Sequence, residues 1–239
     1  MVAGARPIQL ASPLAPPSRA PWLGEGWLAM ASGLLVTLPV FLQAPWVRLA
    51  PFSALLFTVP LLAIGLGLGH HSDQRLRHAG SLLVGFCGSW LGGCLFWGWF
   101  RLHPIWHLPL EACALPLALT GLQGRWRLAC GFYLGSLLGT AATDGAMALS
   151  GVMQLWPEVL SATPEAAPQL LQAAARQVLE PPSLLLVSGC ALVLVQLCRW
   201  LWQQGEVGRI TSSALATTLA VDGLFLMAAL AAPRLSGLI

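Results

Sequence analysis

Apolar segments long enough to cross a membrane alternate with short polar stretches from residue 27 to the end of the chain. A transmembrane helix needs ~20 predominantly apolar residues, and this pattern predicts about seven of them. Their expected ranges are 27–45, 49–69, 79–100, 104–122, 128–150, 182–201 and 210–232. The sequence therefore predicts an all-α, polytopic transmembrane helix bundle that forms one domain over residues 27–239.

Two stretches do not follow this pattern. Residues 1–26 are rich in proline and show little periodicity, which predicts a mobile N-terminal tail. No small-residue cleavage site follows the first apolar run, so this run is interpreted as a span rather than a signal peptide. In the loop at 151–181, Thr163 followed by Pro164 and Glu165 is a favourable helix start. We expect a short helix there, lying on the outer membrane surface.

Arginine supplies all 12 basic residues, and its distribution predicts the orientation. Cytoplasmic loops of membrane proteins carry an excess of basic residues. An inner N-terminus and an outer C-terminus place eight arginines inside and four outside. The inner ones are Arg6, Arg19, Arg75, Arg77, Arg125, Arg127, Arg199 and Arg209, and the outer ones are Arg48, Arg101, Arg176 and Arg234.

The composition agrees with a lipid environment. Charged residues make up 9% of the chain and hydrophobic residues 56%, and the mean hydropathy is +0.73. Soluble domains carry ~25% charged residues, so the lipid bilayer is the expected partner. A net charge of +3 is too small and dispersed for a nucleic-acid surface. The six cysteines form no C-x-x-C pair, and we interpret them as buried apolar residues rather than disulfides or metal ligands.

The candidate chemistry lies mainly in the segment RLHPIWHLPLE at residues 101–111. Histidines and a glutamate recur there every four residues, which predicts one polar stripe on a helix. Ionisable groups at membrane depth are rare and usually functional. Two aspartates in later spans are expected in the same outer half of the membrane. The candidate site residues are Arg101, His103, His107, Glu111, Asp144 and Asp222.

Four hypotheses fit these residues. In a proton- or ion-coupled pathway, the three carboxylates exchange protons or coordinate a cation, and the histidines relay protons from the outer face. In a cofactor-binding protein, His107 is an axial ligand of chlorophyll or haem. A single three-ligand metal ion is excluded, because His103 and Glu111 lie about 12 Å apart along a helix. An enzyme is not favoured, since no nucleophile–base motif or phosphate-binding loop is present. In a purely structural role, Glu111 pairs with Arg101 or a histidine to join helices.

Two further patterns concern helix packing. Gly131, Gly135 and Gly139 recur at the spacing that lets helices approach closely within the bundle or against a membrane-protein partner. The Thr140–Asp144 and Thr218–Asp222 segments match at an offset of 78 residues, and Cys113 and Cys190 begin a second match at 77. Parallel repeats occur in transporters, although chance similarity in a chain rich in alanine, leucine and glycine remains an alternative. The polar loop at 70–78 is interpreted as solvated and inside.

The segment at 101–111, followed by GSLLGTAATDG at 135–145, resembles an uncharacterised cyanobacterial integral-membrane family catalogued as domain of unknown function 3120. The resemblance implies a cyanobacterial inner or thylakoid membrane but no activity and no site residues. The preferred hypothesis is a small-solute or ion transporter. The alternative is a non-enzymatic accessory or assembly subunit of a photosynthetic membrane complex, binding chlorophyll or haem through His107.

Overall fold

The computed structural model describes residues 21–235, all of it helices, turns and short connections without a strand. Most of the predicted mobile tail at 1–26 lies outside the described residues. Within the described range the α-helices are α1 (Pro21–Leu38), α2 (Ala44–Leu49), α3 (Pro51–Leu56), α4 (Thr58–Gly69), α5 (Gln74–Leu95), α6 (His107–Glu111), α7 (Leu115–Gly121), α8 (Arg127–Leu149), α9 (Trp156–Ser161), α10 (Ala167–Val178), α11 (Pro181–Trp202) and α12 (Gly205–Ala231).

Five helical segments among the described residues are long and apolar enough to cross a membrane. They are Gly26–Leu49, Pro51–Gly69, Gln74–Phe100, Pro181–Trp202 and Gly205–Ala231. The all-helical class is confirmed, and these segments are compatible with an integral membrane protein. The count of seven spans and the orientation stay predictions.

The other two predicted spans differ from these five. Helix α8 has 23 residues but is not one of the five, because threonines and Asp144 interrupt its apolar sequence. The predicted span 104–122 is not one continuous helix. It is divided into the 3₁₀ turn Pro104–Trp106, α6, the 3₁₀ turn Ala112–Ala114 and α7. Proline lacks a backbone donor, and Pro116 lies in the first turn of α7, where that loss is tolerated.

Helices α5, α8 and α12 form the centre of the bundle. Helix α5 packs against α4 and α8, and α12 packs against α8, α1 and α11. The predicted glycine packing lies between α8 and α12, where a Cβ atom on Gly139 would be 2.6 Å from Thr218 Cβ. The core on the other side of α8 contains Phe86, Trp90 and Phe132, all at most 2% exposed.

One end of the bundle carries a small ion cluster. Glu206 Oε1 lies 3.3 Å from His78 Nδ1, and Glu206 Oε2 lies 3.8 Å from an Arg127 guanidinium nitrogen. These contacts bring together the starts of α5, α8 and α12. The three helices therefore run in the same direction, and α12 also packs against α10.

The predicted surface helix in the loop 151–181 corresponds to α10, with two corrections. It begins at Ala167, because the Thr163 carbonyl accepts bonds from Ala166 and Ala167 in a preceding turn. Its apolar face is buried within the protein. Leu171 and Ala175 pack against Ala229 of α12, since burial against an apolar helix satisfies that face within the protein.

Candidate functional site

A histidine lies between two carboxylates where α6 meets α8. His107 Nδ1 is 3.0 Å from Asp144 Oδ1, and His107 Nε2 is 3.3 Å from Glu111 Oε1. The three side chains are 13–21% exposed, so water screens these contacts only weakly. The imidazole is thus held at both ring nitrogens. The Phe96 ring lies on one side of it, with ring centroids 4.2 Å apart.

Threonine hydroxyls extend this cluster along α8. Thr140 Oγ1 donates to Glu111 Oε2 at 2.8 Å, and Thr143 Oγ1 donates to Asp222 Oδ2 of α12. Residues 140, 143 and 144 are three and four positions apart, so their side chains share one face of the helix. One face of α8 therefore connects the cluster of His107, Glu111 and Asp144 to Asp222.

The break after α6 is stabilised from α8. The Tyr133 hydroxyl donates to the Glu111 carbonyl at 2.5 Å and accepts from the Ala114 amide at 3.2 Å. These bonds satisfy backbone groups that the interruption leaves without partners inside a helix. Gly92 of α5 provides the space on the other side, since a Cβ there would be 2.6 Å from Glu111 Cα.

The four ionisable groups line one cavity of about 560 Å³. Its polar wall is formed by α6, α8 and the Asp222 turn of α12. Its apolar wall includes Leu171, Leu194 and Leu226, from α10, α11 and α12. The Arg48 side chain also contributes to the lining. The volume is within the ~300–1,000 Å³ usual for small-molecule sites.

Four of the six predicted site residues meet in this cavity, namely His107, Glu111, Asp144 and Asp222. The other two do not. Arg101 is exposed and lines neither this cavity nor the neighbouring groove. His103 lines that groove, a more open space of about 400 Å³. The predicted His103–His107–Glu111 stripe is wrong at its first member, because residues 101–106 form a turn and a 3₁₀ segment rather than an α-helix.

Sequence reasoning missed the hydroxyl groups of the site. The internal match includes Thr140 and Thr143, and no local pattern singles out Tyr133. The spacing of Thr140, Thr143 and Asp144 is the sequence feature that indicates the two threonines, because it places all three side chains on one face of α8. The matched Thr–Asp segments lie side by side, because α8 packs directly against α12.

The arrangement bears on metals and cofactors. Among the described residues, no three histidine, cysteine or acidic side chains are grouped to hold one metal ion. Axial ligation needs a ring nitrogen that is free to face the metal, and both nitrogens of His107 face carboxylates. The interpretation of all cysteines as buried residues is wrong for Cys113 and Cys190, which are both exposed, and Cys190 lines the cavity.

Comparisons with known proteins agree with the motif resemblance. A model of the family described as Protein of unknown function (DUF3120) matches residues 32–230. The match includes all four ionisable residues of the cavity. No curated protein and no solved structure matches the chain.

Proposed function

This chain belongs to the DUF3120 family, whose function is unknown, and we propose its function from its own cavity. It is a multi-pass membrane protein that moves a small solute or ion, coupled to proton exchange at His107, Glu111, Asp144 and Asp222. A cyanobacterial inner or thylakoid membrane is the location that the motif resemblance implies.

The observation that carries this proposal is the imidazole held between two carboxylates. Histidine is the side chain whose unperturbed titration falls near neutral pH. Each ring nitrogen can donate or accept a hydrogen bond, so a proton received at Nδ1 from Asp144 is matched by one released from Nε2 to Glu111. Intramembrane chains of acidic residues and histidine have this role in pumps and transporters.

The groove beside the cavity supports access from one membrane face. It contains His103, and it shares two lining residues with the cavity, Pro104 and Met153. These two residues form a wall that is common to both spaces. The flexible Met153 side chain provides a movable part of it. His103 thus belongs to the route into the site rather than to the polar cluster itself.

The test is proton flux in liposomes that contain the purified protein and a trapped pH-sensitive dye. After an imposed pH step, we expect flux above that of empty liposomes, with at least a tenfold loss in Glu111→Gln and His107→Gln. Glu165→Gln is the matched control, because Glu165 is an exposed carboxylate outside the cavity. Unchanged flux and stability in Glu111→Gln would remove the proposal.

The accessory-subunit hypothesis predicts a different result. A protein that binds chlorophyll or haem through His107 retains pigment absorbance after purification and loses it in His107→Ala. The engagement of both ring nitrogens weighs against this outcome. The contacts also join α6 to α8 and α8 to α12, which a purely structural role requires. Such a role predicts lower stability in the variants but no proton flux in the wild-type protein.

A further inference from the structure

We infer that the cavity binds an organic cation with an apolar body, and that Asp222 is the carboxylate that pairs with its positive charge. The inference rests on the proposed function, because it names the solute class of the same site. Three features carry it: the balance of charges in the cavity, its size and its aromatic wall.

The charges of the cavity are unequal. Glu111 and Asp144 share His107, whereas Asp222 accepts a hydrogen bond from the neutral Thr143 hydroxyl. With His107 and Arg48 both positive, three carboxylates still leave one excess negative charge in the cavity. An ionised carboxylate removed from water is costly unless it is paired. One positive charge beside Asp222 therefore balances the site.

The size of the cavity favours an organic cation over a bare ion. About 560 Å³ is far more than one metal ion or ammonium ion occupies, and the remaining space is lined by Leu171, Leu194 and Leu226. An apolar body fills this space and gains from leaving water. The charge and the hydrophobic surface of the solute thus have separate complements in the cavity.

Two tryptophans add a third feature. Trp97 and Trp156 both line the cavity, and their rings meet edge to face with centroids 6.2 Å apart. The face of an indole ring attracts organic cations, most strongly when water is excluded. A neutral solute of the same shape gains less from these rings and has no charge to pair with Asp222.

The experiment compares four probes on the full chain in lipid nanodiscs. Benzyltrimethylammonium has both charge and apolar body, benzyl alcohol lacks the charge, tetramethylammonium lacks the body, and benzoate reverses the charge. Equilibrium dialysis measures binding, and empty nanodiscs correct for partition into lipid. We expect benzyltrimethylammonium to bind at least tenfold more tightly than each of the other three. Equal binding of benzyltrimethylammonium and benzyl alcohol would overturn the inference.

Variants test the assignment to Asp222. We expect Asp222→Asn to lose at least tenfold in benzyltrimethylammonium affinity, Asp222→Glu to retain most of it, and the exposed control Glu165→Gln to bind like wild type. Unchanged affinity in folded Asp222→Asn contradicts the assignment. If Asp222→Asn does not fold, the same four probes are measured on Asp222→Glu. This variant keeps the negative charge, so a loss of cation selectivity in it contradicts the assignment.

Failure here is distinguishable from failure of the proposed function. Proton flux without selectivity among the probes refutes the cation inference and leaves the proposed function in place. Selective cation binding without any proton flux supports the cation inference and refutes the proposed function.

Discussion

The contact between His107 and Asp144 can be tested as an energetic coupling. The two groups are 3.0 Å apart, with side chains 21% and 13% exposed. At an effective dielectric constant of 20, full charges at this distance attract by about 5 kcal/mol. Desolvation of both groups opposes much of this attraction. Hydrogen bonds to charged groups contribute about 1.5–3 kcal/mol net, so we expect a coupling of about 2 kcal/mol.

The measurement is a double-mutant cycle with His107→Gln, Asp144→Asn and the double variant. Unfolding by sodium dodecyl sulfate in mixed micelles, followed by far-UV circular dichroism, gives the free energy of unfolding of each. Each single variant leaves a polar partner without its contact. The double variant is therefore expected to lose about 2 kcal/mol less than the sum of the single losses.

The chain offers a matched control in Arg127 and Glu206. Their charged atoms are 3.8 Å apart, and the Arg127 side chain is 59% exposed. Solvated pairs of this kind contribute ~0–1 kcal/mol, and we expect about 0.5 kcal/mol or less. A His107–Asp144 coupling no larger than that of the control would refute the view that the cavity strengthens the contact.

Three further predictions concern packing, the helix break and orientation. Gly92→Ala is expected to lower the free energy of unfolding by about 1–3 kcal/mol through overpacking against Glu111. Gly145→Ala should cost nothing, because no atom beyond its chain neighbours and its own helix backbone lies within 4 Å of the added Cβ, and equal effects in both would contradict this packing. Tyr133→Phe removes both bonds at the helix break and is expected to cost about 1–3 kcal/mol in the same assay. An unchanged free energy would show that those backbone groups find other partners. For orientation, a membrane-impermeant maleimide applied outside intact cells should label Glu165→Cys but not Gln203→Cys, and the reverse pattern would overturn the predicted topology.

The sequence indicated the class of the protein and most of its polar cavity residues. Long apolar segments leave little choice in lipid, because backbone polar groups there must be satisfied within helices. Charged residues are so rare in such segments that His107, Glu111, Asp144 and Asp222 were evident without a structure. The prediction for His103 failed because equal spacing implies a shared face only within a continuous α-helix. The turn at residues 101–106 breaks that condition.

The partners of these residues could not be found from local patterns. The Tyr133 hydroxyl meets the carbonyl of Glu111, and Thr143 meets Asp222, which is 79 residues away. Such pairs depend on which helices are neighbours and on how each helix is rotated. Many side chains in an apolar span are equally compatible with facing lipid or protein, so periodicity does not determine the rotation.

The sequence by itself determined that the chain is helical and apolar, and that His107, Glu111, Asp144 and Asp222 interrupt its predicted spans. Only the tertiary structure decided that these groups share one cavity, and that both nitrogens of His107 are engaged while Asp222 has a neutral partner. The physical reason is that the first set of properties depends on local sequence and the second on contacts between distant parts of the chain. Lipid acts on each segment separately, and hydrophobicity and helix formation follow from local sequence. Charge balance depends on contacts between α6, α8 and α12, which exist only after the helices pack.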